Sequence, residues 1–184
     1  YKRYWGKKGG ITVSGGEALL QIDFVTELFT LAKEKGVNTC LDTSGNPFTR
    51  EEPFYSKFEK LMEVTDLFML DIKEMDEDEH KQLTGQTNKN ILDMATCLSD
   101  HGKAMWIRHV LVPGITDDDG QLHRLRAFID TLKTVERVEI LPYHTLGVFK
   151  WKELGIPYAL EDVEPPTKEQ VEHAREIIIP DYKS

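Results

Sequence analysis

The feature that most constrains the fold is a repeated alternation of short apolar runs with amphipathic stretches. The apolar runs recur about every 30 residues, a rhythm typical of βα units in which a buried strand is followed by a helix. Each apolar run ends in polar or charged residues. The pattern predicts an α/β fold in which the strands lie parallel.

Five strands and the helices between them can be assigned from this pattern. The strands are predicted at residues 10–14, 38–43, 67–72, 104–112 and 137–142. Helices are predicted at residues 22–35 and 90–102, after a capping box of Thr49 and Glu52 close to Pro53, after Asp117, Asp118 and Asp119, and after Pro165, Pro166 and Thr167. The stretch that contains Trp151, Gly155 and Pro157 is predicted to be a loop.

Composition bounds the size of the fold and the class of its partners. The chain has 184 residues, 40% of them hydrophobic, which is enough for one substantial core, so residues 1–184 are predicted to form a single domain. The 23 basic and 32 acidic residues give a net charge of −9, which disfavours nucleic acid as a partner.

The cysteines and the apolar runs indicate the compartment. Cys40 in a strand and Cys97 in a helix do not form a disulfide scaffold, which favours a reducing compartment and small core residues at both positions. No apolar run approaches the ~20 residues needed to span a bilayer. A cytoplasmic protein without a membrane partner is therefore expected.

Polar residues stand at the carboxyl end of every predicted strand. The segments are SGGE (residues 14–17), LDTSG (41–45), LDIK (70–73), Arg108 before VLVPG, and LPYH (141–144). In a parallel sheet these ends gather at one rim, which is where a β/α barrel keeps its active site.

The SGGE segment favours a ligand that carries a cationic amino group. Gly15 and Gly16 let the backbone approach a ligand closely, as helix-start loops that bind phosphate do. Glu17 follows at once and would repel a phosphate, so a cation fits better. A purely structural tight turn is an equally good interpretation of the segment alone.

Alternation along the third strand places Met69, Asp71 and Lys73 on one face. With Asp42 they would suit an amino acid zwitterion, whose ammonium faces Asp42 and whose carboxylate faces Lys73. Asp42 and Asp71 would also suit a hard cation. The alternative is an ion pair that only fixes the rim.

Arg108 and the histidines complete the candidates. Arg108 is either an active-site residue or a surface arginine, and His144 is either an acid, base or hydrogen-bond donor or a structural histidine. The remaining assigned histidines, His80, His101, His123 and His173, lie among charged residues and are predicted to face solvent.

Five ordered segments resemble those of one known family. GGITVSGGEALLQ, TCLDTSG, TDLFMLDIK, WIRHVLVPG and VEILPYHTLGVFKW are similar to segments of the pyruvate formate-lyase-activating enzymes, which are radical S-adenosylmethionine (SAM) enzymes. The resemblance covers nearly the whole chain. It implies a partial (β/α) barrel that binds SAM beside a 4Fe–4S cluster, forms a 5′-deoxyadenosyl radical, and installs a glycyl radical on pyruvate formate-lyase.

The resemblance also implies roles for the rim residues. Gly15, Gly16, Glu17 and Asp42 would lie at the methionyl amino group, Lys73 and His144 at the carboxylate and ribose, and Val110 and Leu141 at the adenine. Asp42, Thr43, Met69 and Asp71 would hold a monovalent cation, and Arg108 would be the catalytic arginine. Reduced flavodoxin or ferredoxin would be the electron donor.

One departure from the family concerns the cluster. The family binds it through a CxxxCxxC loop after the first strand, and this sequence has no such motif. The chain is therefore expected to cover the second to sixth βα units, with Tyr1 in or just after the family's first helix, and to be inactive alone. Three alternatives stay open: an activating enzyme for a diol or glycerol dehydratase, a non-catalytic peptide-binding barrel, and an aldolase-like enzyme with Lys73 as Schiff base.

Overall fold

Five parallel strands form one sheet in a computed structural model that describes residues 9–179. The strands are β1 (Gly10–Val13), β2 (Asn38–Thr43), β3 (Leu67–Asp71), β4 (Met105–Leu111) and β5 (Val135–Pro142). Their order in the sheet is their order in the chain, and every neighbouring pair is parallel. The five predicted strands are thus confirmed, with ends that differ by up to two residues.

Helices connect the strands in the manner of βα units. They are α1 (Ile22–Glu34), α2 (Phe54–Val64), α3 (Glu77–Thr84), α4 (Lys89–Asp100), α5 (Asp119–Thr131), α6 (Val148–Glu153) and α7 (Lys168–Ile178), with a short 3-10 helix at Ala18–Gln21 before α1. Asp118 caps α5 by accepting a hydrogen bond from the Gln121 backbone N–H. The acidic helix entrance predicted there is confirmed.

The strand order explains why one face of the sheet is covered and the other is not. Each crossover steps one strand in the same direction, and right-handed crossovers in that sequence place every helix on the same face. The outer face is therefore the helix-covered one, and the inner face corresponds to the interior of a barrel. This arrangement is a partial (β/α) barrel.

Side-chain alternation separates the two faces chemically. Outward-pointing residues of the strands are fully buried under the helices: Leu41, Phe68, Leu70, Met105, Ile107, Leu111 and Val138. Phe48 and Phe58 extend this core with an edge-on ring contact whose centroids are 4.9 Å apart. The core thus lies between the sheet and the helices, which leaves the inner face for polar residues.

Three local predictions differ from the structure. The capping box of Thr49 and Glu52 is wrong, because Pro53 occupies the N-cap of α2 and Thr49 instead accepts a hydrogen bond from the Glu51 N–H in a local turn. The predicted loop around Trp151 contains the short helix α6. Cys40 lies half-buried on the inner face rather than in the core, whereas Cys97 is fully buried as predicted.

Two further predictions concern Tyr1 and membrane-spanning segments. The expectation about Tyr1 falls outside residues 9–179. Within that range, none of the helices combines the length and the apolar character that crossing a lipid bilayer would require.

Candidate functional site

The loop after β1 has an open backbone at two glycines. Gly15 and Gly16 have φ values of 97° and 51°, in the left-handed region that side chains disfavour. Both are exposed, and a Cβ added at either would meet no atom within 4 Å. The space beside this backbone is therefore available to a ligand at the rim.

Glu17 ties this loop to the loop after β2. Its Oε1 accepts hydrogen bonds from the Leu19 N–H, at 3.0 Å, and from the Thr43 hydroxyl, and its Oε2 accepts from the Ser44 N–H, at 3.0 Å, and the Ser44 hydroxyl. Four donors of the chain thus converge on one carboxylate. Glu17 positions both loops, and its role at a ligand's amino group stays a prediction.

Arg108 is the centre of the charged group on the inner face. It lies in register with Asp71 of β3 on one side and Glu139 of β5 on the other. Its Nη1 donates to Asp42 Oδ1 at 2.9 Å, while its Nε is 3.9 Å from Asp71 Oδ1 and 3.8 Å from Glu139 Oε2. The structure therefore brings together Asp42, Asp71 and Arg108, which the sequence had grouped at one rim.

One carboxylate oxygen of Asp71 lacks a hydrogen-bond partner in this group. Asp71 Oδ1 and Arg108 Nε are buried atoms without a hydrogen-bond partner. Burial raises the pKa of Asp71 above its ordinary value, and the nearby charges of Arg108 and Lys73 offset this only in part. A cation, or a ligand group that donates hydrogen bonds, would relieve an ionised Asp71.

Three inner-face residues were not singled out from the sequence: Trp106, Arg137 and Glu139. Glu139 lies between Arg108 and Arg137, whose Nε is 3.2 Å from Glu139 Oε1. The Arg137 guanidinium carbon lies 4.9 Å from the centre of the Trp106 ring. The alternation of β4 and β5 was the available signal, because it places these residues on the face of Arg108.

The other predicted site residues occupy different parts of the same rim. Lys73 follows Asp71 at the end of β3 and is half-buried. Val110 and Leu141 are neighbours in register on β4 and β5, both partly exposed on the inner face. His144 follows β5 and is exposed.

The residues predicted to hold a cation are divided between the two faces. Asp42, Met69 and Asp71 are on the inner face, but Thr43 is buried on the outer face and its hydroxyl donates to Glu17. Within residues 9–179, no three His, Cys, Asp or Glu side chains are grouped to hold a metal ion. A cation at Asp42 and Asp71 would thus need oxygen ligands from the backbone or from another molecule.

The histidines require one correction. His101, His123 and His173 are exposed as predicted, but His80 is only 2% exposed. The sequence did not predict this burial because α3 is strongly charged and His80 is its single buried residue. His109, which the sequence did not single out, is also buried, with Nδ1 3.0 Å from the Ile72 carbonyl oxygen and Nε2 3.0 Å from that of Thr116.

Comparison with known proteins agrees with this architecture. The model of the radical SAM superfamily matches residues 1–125. A pyruvate formate-lyase-activating enzyme of Streptococcus mutans is 58% identical over 178 residues, which are 97% of this chain and 68% of the relative. One from Listeria monocytogenes is 51% identical over 179 residues, covering 97% of this chain and 72% of the relative.

A solved structure supports the fold independently. A domain of a pyruvate-formate lyase-activating enzyme from Bacteroides vulgatus superimposes with a TM-score of 0.74 at 22% identity and covers 92% of each chain. At that identity the likeness concerns the fold, while the curated relatives carry the family. The chain therefore belongs to the radical SAM superfamily and, within it, to the pyruvate formate-lyase-activating enzymes, which are oxidoreductase-type enzymes.

Proposed function

We propose that this chain forms the SAM-binding rim of an enzyme that installs a glycyl radical on pyruvate formate-lyase. The observation that carries the proposal is the joining of Asp42, Asp71 and Arg108 on the inner face, at the same rim as Lys73 and the open Gly15–Gly16 backbone. The identity of 58% over nearly the whole chain supports the choice of partner.

The residues of the rim fit the chemistry of SAM. Its ammonium group would be held by Gly15, Gly16 and Asp42, with Glu17 bracing the loop, and its carboxylate by Lys73. His144 would contact the ribose region. Val110 and Leu141 offer a pair of adjacent, partly exposed apolar side chains on which an adenine ring would pack.

Asp71 supports the proposed cation next to SAM. Its buried, unpartnered carboxylate oxygen is stabilised by added positive charge, and Asp42 lies across Arg108 from it. A monovalent cation held by Asp42, Asp71, Met69 and Thr43, the last two through backbone carbonyls, would supply that charge.

Arg108 is proposed to act at the reacting end of the bound SAM. Its Nη1 is fixed by Asp42, but its Nε has no hydrogen-bond partner and is buried on the inner face. A guanidinium held in this way stays in place while it donates toward a substrate carbonyl. SAM, when bound, supplies the radical that abstracts hydrogen from the glycine of the partner.

The residues present do not fit a 4Fe–4S cluster. Three thiolates are needed, and the sequence has two cysteines, one on the inner face of β2 and one fully buried in α4. We propose that the thiolates, and the contact with reduced flavodoxin or ferredoxin, come from residues outside this sequence. The 184-residue chain alone is then expected not to cleave SAM.

The test is radical installation on defined partners. The full-length protein, reconstituted anaerobically with iron and sulfide, is incubated with SAM, a reductant and pyruvate formate-lyase carrying deuterated glycine. A glycyl-radical signal in electron paramagnetic resonance, altered by the deuterium, is expected. SAM cleavage without that signal, together with a radical on a diol or glycerol dehydratase, would replace the proposed partner.

A further inference from the structure

Arg108 lies between carboxylates on two neighbouring strands, and its Nε is bonded to neither of them. The register places Asp71 of β3 and Glu139 of β5 directly beside it. Its Nε is 3.9 Å from Asp71 Oδ1 and 3.8 Å from Glu139 Oε2, whereas a closed arginine–carboxylate hydrogen bond measures about 2.7–2.9 Å. The three side chains are only 22–24% exposed, so solvent ions screen these charges weakly.

The attractions of the two carboxylates for Arg108 Nε oppose each other. Coulomb attraction depends on distance, and the two distances are nearly equal, so neither carboxylate draws the group to itself. The contact from Arg108 Nη1 to Asp42 Oδ1, at 2.9 Å, holds another part of the guanidinium on the β2 side. Glu139 is therefore the carboxylate that attracts Arg108 toward β5, against Asp42 and Asp71 on β2 and β3.

Arg137 explains why Glu139 does not close on Arg108. Glu139 Oε1 is 3.2 Å from Arg137 Nε, two residues away on the same face of β5. The Arg137 guanidinium carbon is 4.9 Å from the centre of the Trp106 ring, a distance at which an aromatic face attracts a cation. Glu139 is thus shared between two guanidinium groups, one beside each of its carboxylate oxygens.

We propose that Glu139 is a positioning residue for Arg108: held at Oε1 by Arg137, it opposes the attraction of Asp71 and keeps the Arg108 guanidinium between β3 and β5. Without the charge of Glu139, Arg108 Nε would move about 1 Å and close on Asp71. A displacement of that size can cost an enzyme about 100-fold in rate. This consequence rests on the proposed function, in which Arg108 acts at the substrate carbonyl. The position of Arg108 does not.

Two variants should move Arg108 in opposite directions. Glu139→Gln keeps the shape of the side chain and removes its charge, so Arg108 Nε should close on Asp71. Arg137→Met removes the group that holds Glu139 Oε1, so Glu139 should close on Arg108 from the β5 side. Glu136→Gln, at an exposed position of the same strand, is the control.

The first readout is the position of Arg108 in crystal structures of the full-length variants. In Glu139→Gln the distance from Arg108 Nε to Asp71 Oδ1 should shorten from 3.9 Å to about 2.9 Å. In Arg137→Met the distance to Glu139 Oε2 should shorten from 3.8 Å to a similar value, and Glu136→Gln should change neither. An unchanged Arg108–Asp71 distance in Glu139→Gln would overturn the proposal. Where that variant fails to fold, an unchanged Arg108–Glu139 distance in Arg137→Met overturns it equally.

The second readout separates positioning from general damage to the site. With the full-length enzyme at saturating SAM, Glu139→Gln should lower kcat for glycyl-radical formation about 10- to 100-fold. Its affinity for SAM, whose carboxylate the proposed function assigns to Lys73, should stay near wild type. An equal loss of rate and of SAM affinity would count against the positioning role.

The two readouts also separate this proposal from the proposed function. A displaced Arg108 with an unchanged rate would remove the proposed role of Arg108 in the reaction and leave its positioning by Glu139 intact. If the wild type installs no radical on pyruvate formate-lyase, the proposed function fails, and the crystallographic distances still test the role of Glu139.

Discussion

Asp71 carries a charge that the fold itself does not favour. Burial raises its pKa above the ordinary 3.8. At a pH between the unfolded-state pKa and this raised folded-state pKa, the folded state therefore binds more protons than the unfolded state. Stability contributed by this group therefore falls as the pH rises through that window. At neutral pH the ionised carboxylate lowers the free energy of unfolding.

Asp71→Asn should consequently stabilise the chain at pH 7 while impairing the site. We expect a higher urea midpoint than wild type at pH 7, with a difference that narrows as the pH is lowered toward 3.8. Cation and SAM binding should weaken. Asp23→Asn removes a carboxylate whose side chain is 72% exposed and pairs with Lys57, and it should lower the stability by less than about 1 kcal/mol. A loss of stability in Asp71→Asn at pH 7 would show that the ionised carboxylate stabilises the fold instead.

Arg108 should matter more to stability than an arginine in a better-formed surface pair. Arg108→Met leaves Asp42, Asp71 and Glu139 facing one another on side chains that are 22–25% exposed, and we expect a cost of about 2–3 kcal/mol. Arg50→Met breaks a pair with Asp93 that is 44% exposed and should cost less than about 1 kcal/mol. Urea denaturation at low salt measures both, and equal costs would argue against a central role for Arg108.

At the scale of elements, strands were easier to predict than helix starts. The strands are short apolar runs with period-two alternation, and that alternation placed Met69, Asp71 and Lys73 on one face. Asp42 and Arg108 were added because they stand at strand ends on the same rim. Helix α3 was missed because it is charged on most sides. The burial of His80 was missed together with α3. The buried ring contacts the carbonyl oxygen of Gln86, six residues later in the chain.

Glu17 links the loop after β1 to the loop after β2, and the sequence did not predict this link. Glu17→Gln places an amide donor against one of the two donor pairs that the carboxylate accepts, and we expect a cost of about 1–3 kcal/mol. At least one of the Leu19 and Ser44 amides should exchange its hydrogen faster, because the amide oxygen can accept from only one of the two donor pairs. Glu27→Gln, on the exposed side of α1, should change neither quantity. Unchanged protection of both the Leu19 and the Ser44 amides in Glu17→Gln would show that this brace contributes little.

At the scale of the whole molecule, strand order decides where the chemistry lies. Sequential parallel strands place the helices on one face and direct the polar residues of β2 to β5 to the other. The βα rhythm predicted this arrangement. It did not predict the pairing of Arg108 with Glu139, because that pairing depends on the register between β4 and β5.

The most direct test of the proposed rim is equilibrium binding of SAM to this chain and two lysine variants, measured by dialysis with labelled SAM. We expect weak binding by the wild type, because the iron of the cluster is not there to anchor the ligand. Lys73→Ala should weaken it about 10- to 100-fold, the loss expected for a charged hydrogen bond, and Lys60→Ala should leave it unchanged. Equal affinity of the wild type and Lys73→Ala would contradict the assignment of SAM to this rim.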